Sequence, residues 1–281
     1  MATELNDEVA RGYTTAHFVH TSGQDNVAPK FWHGIKVSYE ELEAEAQRLI
    51  SIKKQSAVRR SFIVHPQSKT NTLTPGIRAA IEVTMPGEAV ELTQKNSSSV
   101  GLSIAGTVSA RIDGAELRID KYDVWSVPNM AKVIYINEGS EPHVRLTFSD
   151  SPLFEFLHAL YLSDGEMAPA TPGDRQRDPM ADFIHRLPTG GSAIKTYHAF
   201  IDPEAVEQSA CLWKWEEVKD FLNKIEKDTP DLRAAIIGLL WNPATGRTNG
   251  STNTLTACMN GGVVQIGQAQ SGTWRGPIVT M

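Results

Sequence analysis

At 281 residues and 30.8 kDa, with 41% hydrophobic and 21% charged positions, the chain is long enough to bury one large core or two modest ones. Lys plus Arg number 27 against 33 Asp plus Glu, a formal charge of -6, so no global positive field exists to hold a phosphate backbone and nucleic acid is not an expected partner. Two cysteines, Cys211 and Cys258, exclude a disulfide scaffold and a four-thiolate metal site, leave room for one bridge, and best fit a reducing compartment.

Met1 to Val9 is polar and acidic where a secretory signal needs a basic start and an apolar run. The most apolar stretch, Leu232 to Trp241, is about half the roughly 18 to 20 residues that a membrane-spanning helix needs. The expectation is a soluble, cytoplasmic protein without a membrane partner. In chain order, Ser38 followed by Glu41 and a run of Glu, Ala, Gln and Leu to about Lys53 has capping-box spacing and predicts an amphipathic helix. From Arg59 to Phe148 short β-rich runs alternate with Gly, Pro, Asn and Asp: Ser61 to Val64, Ile77 to Met85, Val100 to Ile104, Val108 to Ile112, Val124 to Val127, Lys132 to Ile136 and His143 to Phe148. That spacing predicts a mainly β jelly roll or small barrel.

Leu153 to Leu162 has near-helical apolar spacing and predicts a helix capping the β unit. Ser163 to Met180, rich in Gly, Pro, Asp and Ala, reads as a linker or surface loop. A further helix is predicted from Trp215 to about Ile225, followed by Gly-, Thr- and Asn-rich short strands. The domain reading is a barrel with its leading helix over 31–162, a linker over 163–180, and a helix plus an incomplete second β unit over 181–281. Strands of that unit need partners for their edges, in the first barrel or in a second copy of the chain, which predicts a homodimer.

Pro86-Gly87-Glu88, the run Ile112-Asp113-Gly114-Ala115-Glu116, Tyr122 to Pro128 and Asn137 resemble the core of the cupin family. The similarity is to gentisate 1,2-dioxygenase-like bicupins. It extends to Phe31-Trp32-His33 and Arg59-Arg60, and to Trp213-Lys214-Trp215-Glu216 and Trp241 to Gly246, which look like the opening of that family's second cupin. The resemblance implies a double-stranded β-helix with flanking helices and a partial second β unit.

The resemblance also implies where iron-binding histidines would stand, two shortly after Pro-Gly-Glu and one between the later Pro and Asn. Those positions hold Thr93, Lys95 and Val133, so the first barrel is expected to carry no metal, and no cofactor is expected. The second unit is expected to stop near Gly261, before its own histidine pair. The eight histidines, His17, His20, His33, His65, His143, His158, His185 and His198, show no spacing that rebuilds a ligand set and read as satisfied surface or core residues.

Strand parity names the candidate pocket residues, because side chains at i and i+2 share a face. Thr93, Lys95 and Ser97 form one set, and Val133, Tyr135 and Asn137 the other. Arg78 and Glu82 share a face that is either inward or outward. Lys95, desolvated in a partly apolar barrel, suits a general acid or base or an imine-forming amine; the bland reading is a lysine neutralised by Glu82 or Glu91 or snorkelling to the rim. Tyr135 is either a donor to an enolate or phenolate or core filler with a satisfied hydroxyl. Arg78 has the fork geometry for a carboxylate, or faces water from an edge strand.

The reading is a metal-independent cupin that binds a small aromatic or polyketide-like molecule of secondary metabolism. It carries out an isomerisation, cyclisation or elimination, with Lys95 and Tyr135 catalytic and Arg78, Glu82, Thr93, Ser97, Val133 and Asn137 at the substrate. The alternatives are a non-catalytic ligand-binding cupin, a gentisate-type ring-cleaving dioxygenase with an unrecognised metal site, and a scaffold whose barrel is filled by its own side chains.

Overall fold

A computed structural model describes residues 32–54, 56–163, 179–186, 193–197, 209–228, 237–248, 250–260, 263–268 and 278–280. The chain divides into two units, Met1–Gly34 and Ile35–Met281. The first is described only at Trp32–Gly34, which have no regular structure. Everything below concerns the second.

Helix α1 (Tyr39–Ser51) begins where the sequence predicts. Ser38 Oγ accepts from Glu41 N at 3.2 Å and Ser38 N donates to Glu41 Oε2 at 2.7 Å, so both halves of the capping box are made. Its Ala46 and Leu49 bury against the outer face of the first sheet. Ten strands follow: β1 (Arg59–Ile63), β2 (Arg78–Thr84), β3 (Ala89–Leu92), β4 (Gln94–Lys95), β5 (Ser99–Ala105), β6 (Val108–Ile112), β7 (Ala115–Ile119), β8 (Val124–Val127), β9 (Val133–Ile136) and β10 (His143–Ser149). The seven predicted β runs all appear, with bounds shifted by a residue or two. The short strands β3, β4 and β7 had no sequence signal, because they are short or rich in charge and owe their extension to their partners.

Turn chemistry sets the register. Pro86-Gly87 turns the chain between β2 and β3, with Gly87 at φ 76° and Glu88 N donating to Met85 O at 3.0 Å. Asp113 and Gly114 both have positive φ, 47° and 85°, and close the β6–β7 hairpin.

Helix α2 (Ser151–Phe156) covers only the front of the predicted Leu153 to Leu162 run and starts earlier. Beyond it His158 has φ 53°, which ends helical continuation. Strand β11 (Leu162–Ser163) then pairs with β4. The predicted linker falls almost wholly outside the described residues. Strands β12 (Ile184–Arg186) and β13 (Ala193–Lys195) form a separate hairpin pair, and β14 (Leu212–Trp213) precedes helix α3 (Trp215–Asp228).

Two antiparallel sheets enclose the barrel interior. One has the order β1-β2-β10-β5-β8-β14 and the other β3-β9-β6-β7. Alternation divides the first sheet's two faces. Ala79, Ile81, Val83, Val100, Leu102, Val144, Leu146 and Phe148 lie in an outer core with α1. Ala80, Glu82, Thr84, Ser99, Gly101, Ser103, Arg145, Thr147 and Ser149 take the opposite, inner face. The second sheet turns apolar residues inward, among them Val108, Ala110, Ile112, Val133 and Tyr135. The barrel interior therefore has one polar wall and one apolar wall.

The second β unit is a four-stranded meander, β15 (Gly238–Leu240), β16 (Leu255–Asn260), β17 (Val263–Gln268) and β18 (Ile278–Thr280), in the order β15-β16-β17-β18. It continues past Gly261, where the sequence suggested an end. Leu240, Leu255, Ala257, Met259 and Leu222 of α3 share one apolar cluster with the outer face of the barrel. Part of the edge problem is met within the chain: β14 extends the barrel sheet by pairing Leu212 with Trp125 and Trp213 with Val124. No helix among the described residues is long and apolar enough to cross a membrane.

Candidate functional site

The inner row of β10 carries the site. Arg145, Thr147 and Ser149 stand at alternate positions of a central strand, pointing into the barrel. Arg145 and Glu82 are both buried: Nε donates to Glu82 Oε2 at 2.8 Å and NH2 lies 2.7 Å from the same oxygen. Arg145 NH1 also donates to Thr84 Oγ1 at 2.9 Å. Arg60 donates to Glu82 Oε1 at 2.5 Å. Burial pushes the Glu82 carboxyl upward, but the charges of Arg145 and Arg60 outweigh it and hold the group below its usual range. Glu82 therefore faces inward, as a structural anion between two guanidinium groups.

Tyr135 lies on the opposite wall, and the Arg145 guanidinium carbon sits 4.0 Å from its ring centroid. Trp125 Nε1 donates to Tyr135 Oη at 2.9 Å, and the two rings meet edge to face at 6.1 Å. Burial raises the phenol's pKa, against a lowering by Arg145 and by the bond from Trp125.

Thr147 is half-buried although its strand is central, and its register partners are Ala80 and Gly101, the smallest residues on the inner face. Ser149, one step further, accepts from Lys95 Nζ at 3.0 Å. Burial pushes the Lys95 ammonium downward, and Arg60 adds to this, while Asp150 and Glu82 partly restore it. Neither neutralising carboxylate foreseen from the sequence is available: Glu82 belongs to Arg145 and Arg60, and Glu91 pairs with Lys132 at 3.3 Å.

The structure thus brings Lys95, Glu82 and Tyr135 around one interior and adds three residues that sequence reasoning missed, Arg145, Thr147 and Ser149. Strand parity on His143 to Phe148 held the signal for Arg145 and Thr147, since His143, Arg145 and Thr147 alternate there with Val144, Leu146 and Phe148, and Ser149 takes the next position on the same face. Five other candidates have different surroundings. Thr93 is exposed between β3 and β4. Arg78 grips Glu155 with both arms, at 2.6 and 2.9 Å, and lies 5.4 Å from the Phe62 ring centroid. Asn137 donates to Thr84 O and Glu141 O, both at 2.9 Å, and accepts from Gly139 N at 3.0 Å, so its amide is spent on closing the barrel end. Ser97 is buried with its Oγ unpartnered, and Val133 packs in the apolar cluster.

The fit of an iron is decided by donor chemistry. An exposed hydroxyl at Thr93, an ammonium that only donates at Lys95, and an isopropyl group without a lone pair at Val133 do not make a ferrous ligand set. Among the described residues no three His, Cys, Asp or Glu side chains come together. His143 is buried with Nε2 3.2 Å from Ser103 Oγ, and burial together with Arg145 lowers its pKa to about 3. His65 is buried and its Nδ1 accepts from Gln67 N at 3.0 Å.

Comparison with solved structures finds the same architecture. The chain is similar to salicylate 1,2-dioxygenase from Pseudaminobacter salicylatoxidans, with TM-score 0.63 and 14% identity over 94% of this chain and 75% of that one. It is similar also to a variant of that enzyme solved in complex with gentisate, with TM-score 0.61 and 15% identity over 94% and 73%. A salicylate 1,2-dioxygenase adduct with gentisate matches at TM-score 0.54 and 16% identity, over 81% of this chain and 61% of that one. No family model matches the chain. No curated protein matches it either. At this identity the likeness shows the fold alone: a mainly β architecture of the cupin type with flanking helices.

Proposed function

We propose that the first barrel, within 31–162, binds a small aromatic or polyketide-like molecule and handles it without a bound metal. The observation that supports this is the half-buried Thr147 on the inner face, lying between a polar wall with Lys95 at its end and an apolar wall with Tyr135. An apolar surface suits a ring, and a few placed polar groups fix its orientation. In this reading Lys95 and Tyr135 are the proton-transferring groups of an isomerisation, cyclisation or elimination. Arg145 and Glu82 lie beneath the ligand and hold the polar wall rigid. Residues 181–281, joined through a linker over 163–180, form the second cupin-like half, and two copies of this chain pair through sheet edges in the cytoplasm. The ligand class has support in the solved relatives, whose structures include complexes with gentisate.

A second reading, a barrel that binds without turnover, is favoured by Tyr135 itself, which is 1% exposed with its hydroxyl bonded to Trp125. Native mass spectrometry of the purified protein, followed by turnover assays on the molecule it carries, separates the two. A Lys95→Ala variant is expected to lose about 100-fold or more in rate. Full turnover by that variant would reject the catalytic assignment, and affinity with no product would establish the second reading.

A further inference from the structure

The two carboxylates that favour a charged Lys95 are both engaged elsewhere. Arg60 and Arg78 oppose its charge, while Asp150 and Glu82 support it. Glu82 is held by Arg145 and Arg60. Asp150 follows Ser149, the residue that accepts from Lys95 Nζ at 3.0 Å, yet it makes no ion pair with Lys95 among the described residues. Both of its oxygens are occupied: Oδ1 accepts from Ser98 N at 2.8 Å and Oδ2 from the Thr254 hydroxyl. Burial raises the Asp150 carboxyl's pKa, and the bonds from Thr254 and Ser98, with the charge of Lys95, pull it back.

Thr254 belongs to the second β unit, one residue ahead of β16, and its turn is built to hold it. Ser251 N and Thr252 N donate to Leu255 O at 2.9 and 3.0 Å, and the buried Thr252 Oγ1 accepts from Leu255 N at 3.0 Å. Leu255 itself is fully buried in the cluster shared with the outer face of the barrel. The hydroxyl is thereby fixed where it meets Asp150, 104 positions away in sequence. A buried carboxylate oxygen deprived of this donor needs another, and the Lys95 ammonium has N–H bonds beyond the one on Ser149.

We infer that the second β unit tunes the barrel site: the Thr254 hydroxyl keeps Asp150 out of an ion pair with Lys95, and Thr254 is thereby a positioning residue for the Lys95 amine. This rests on the reading of Lys95 as a proton-transferring group and names what regulates it. An ammonium locked to a carboxylate keeps its proton, whereas a desolvated one with only a hydroxyl partner releases it more readily. The packing of one half of the chain thus sets the proton affinity of an amine in the other.

Reductive methylation of the whole protein with formaldehyde and cyanoborohydride, followed over pH by peptide mass spectrometry, measures the neutral amine at Lys95 and needs no ligand. Thr254→Val is expected to slow Lys95 labelling at about pH 8 by about 10-fold, because Asp150 then turns to the ammonium, while surface lysines label as before. Thr254→Ser keeps the hydroxyl and should match the parent. Asp150→Asn should speed Lys95 labelling, and adding Thr254→Val to it should change nothing further. Thermal melting identifies a variant that does not fold, in which case Thr254→Ala replaces Thr254→Val. The coupling is overturned by unchanged labelling in Thr254→Val, by faster labelling, the sign expected if Asp150 takes up a proton instead, or by an equal effect in the absence of Asp150. Full turnover by Lys95→Ala together with the expected labelling pattern rejects the catalytic reading alone and leaves the coupling in place.

Discussion

The indole of Trp125 occupies the space above Gly101: a Cβ built there would lie 2.2 Å from Cζ2 of the ring. Gly101 is therefore required by a side chain on the neighbouring strand β8 rather than by its own backbone angles. Gly101→Ala must push the indole away from Tyr135 and is expected to cost about 1–3 kcal/mol of stability, the usual range for overpacking. Denaturant unfolding followed by tryptophan fluorescence measures the loss, and a red-shifted native emission would report the displaced ring. An unchanged midpoint and spectrum would contradict the close approach.

Glu82 is the counter-ion of a fully buried guanidinium. Glu82→Gln leaves Arg145 charged and unpaired in the interior, a situation that typically costs about 3–5 kcal/mol. The double variant Glu82→Gln/Arg145→Met removes both charges and should recover much of that stability. A single variant as stable as the parent would show that water or another anion reaches Arg145.

His143 supplies a pH dependence whose sign is fixed by its depressed pKa. The folded state holds the imidazole neutral down to about pH 3, whereas the unfolded chain protonates it near 6.5, so between those values the unfolded state binds more protons. Stability contributed by neutral His143 is present in full above pH 6.5 and falls as the pH drops, by about 2 kcal/mol at pH 5. Unfolding at pH 7 and pH 5 should show this loss, and His143→Asn should remove most of it. A parent protein equally stable at both values would place His143 in contact with solvent.

Much of the fold is local and was legible in the chain itself. The Ser38–Glu41 capping box and the seven β runs each depend on residues a few positions apart, and all of them formed. Strands β3, β4 and β7 were not legible, because their extension comes from pairing with β9, β11 and β6 across the sheets.

The candidate site divides along the same line. Val133, Tyr135 and Asn137, which parity puts on one face, are all buried, and position in the chain singled out Lys95. Nothing local could assign partners to them. Lys95 meets Ser149 across 54 positions, and Glu82 meets Arg145 across 63. Sequence by itself settled which residues extend, turn and alternate, since those are short-range consequences of sterics and burial. Tertiary structure alone decided that Glu82 is already paired with Arg145 and Arg60, that Asn137 is spent on backbone carbonyls and that Lys95 turns to Ser149 instead of Glu82 or Glu91, because a side chain's neighbours depend on which distant strands lie side by side.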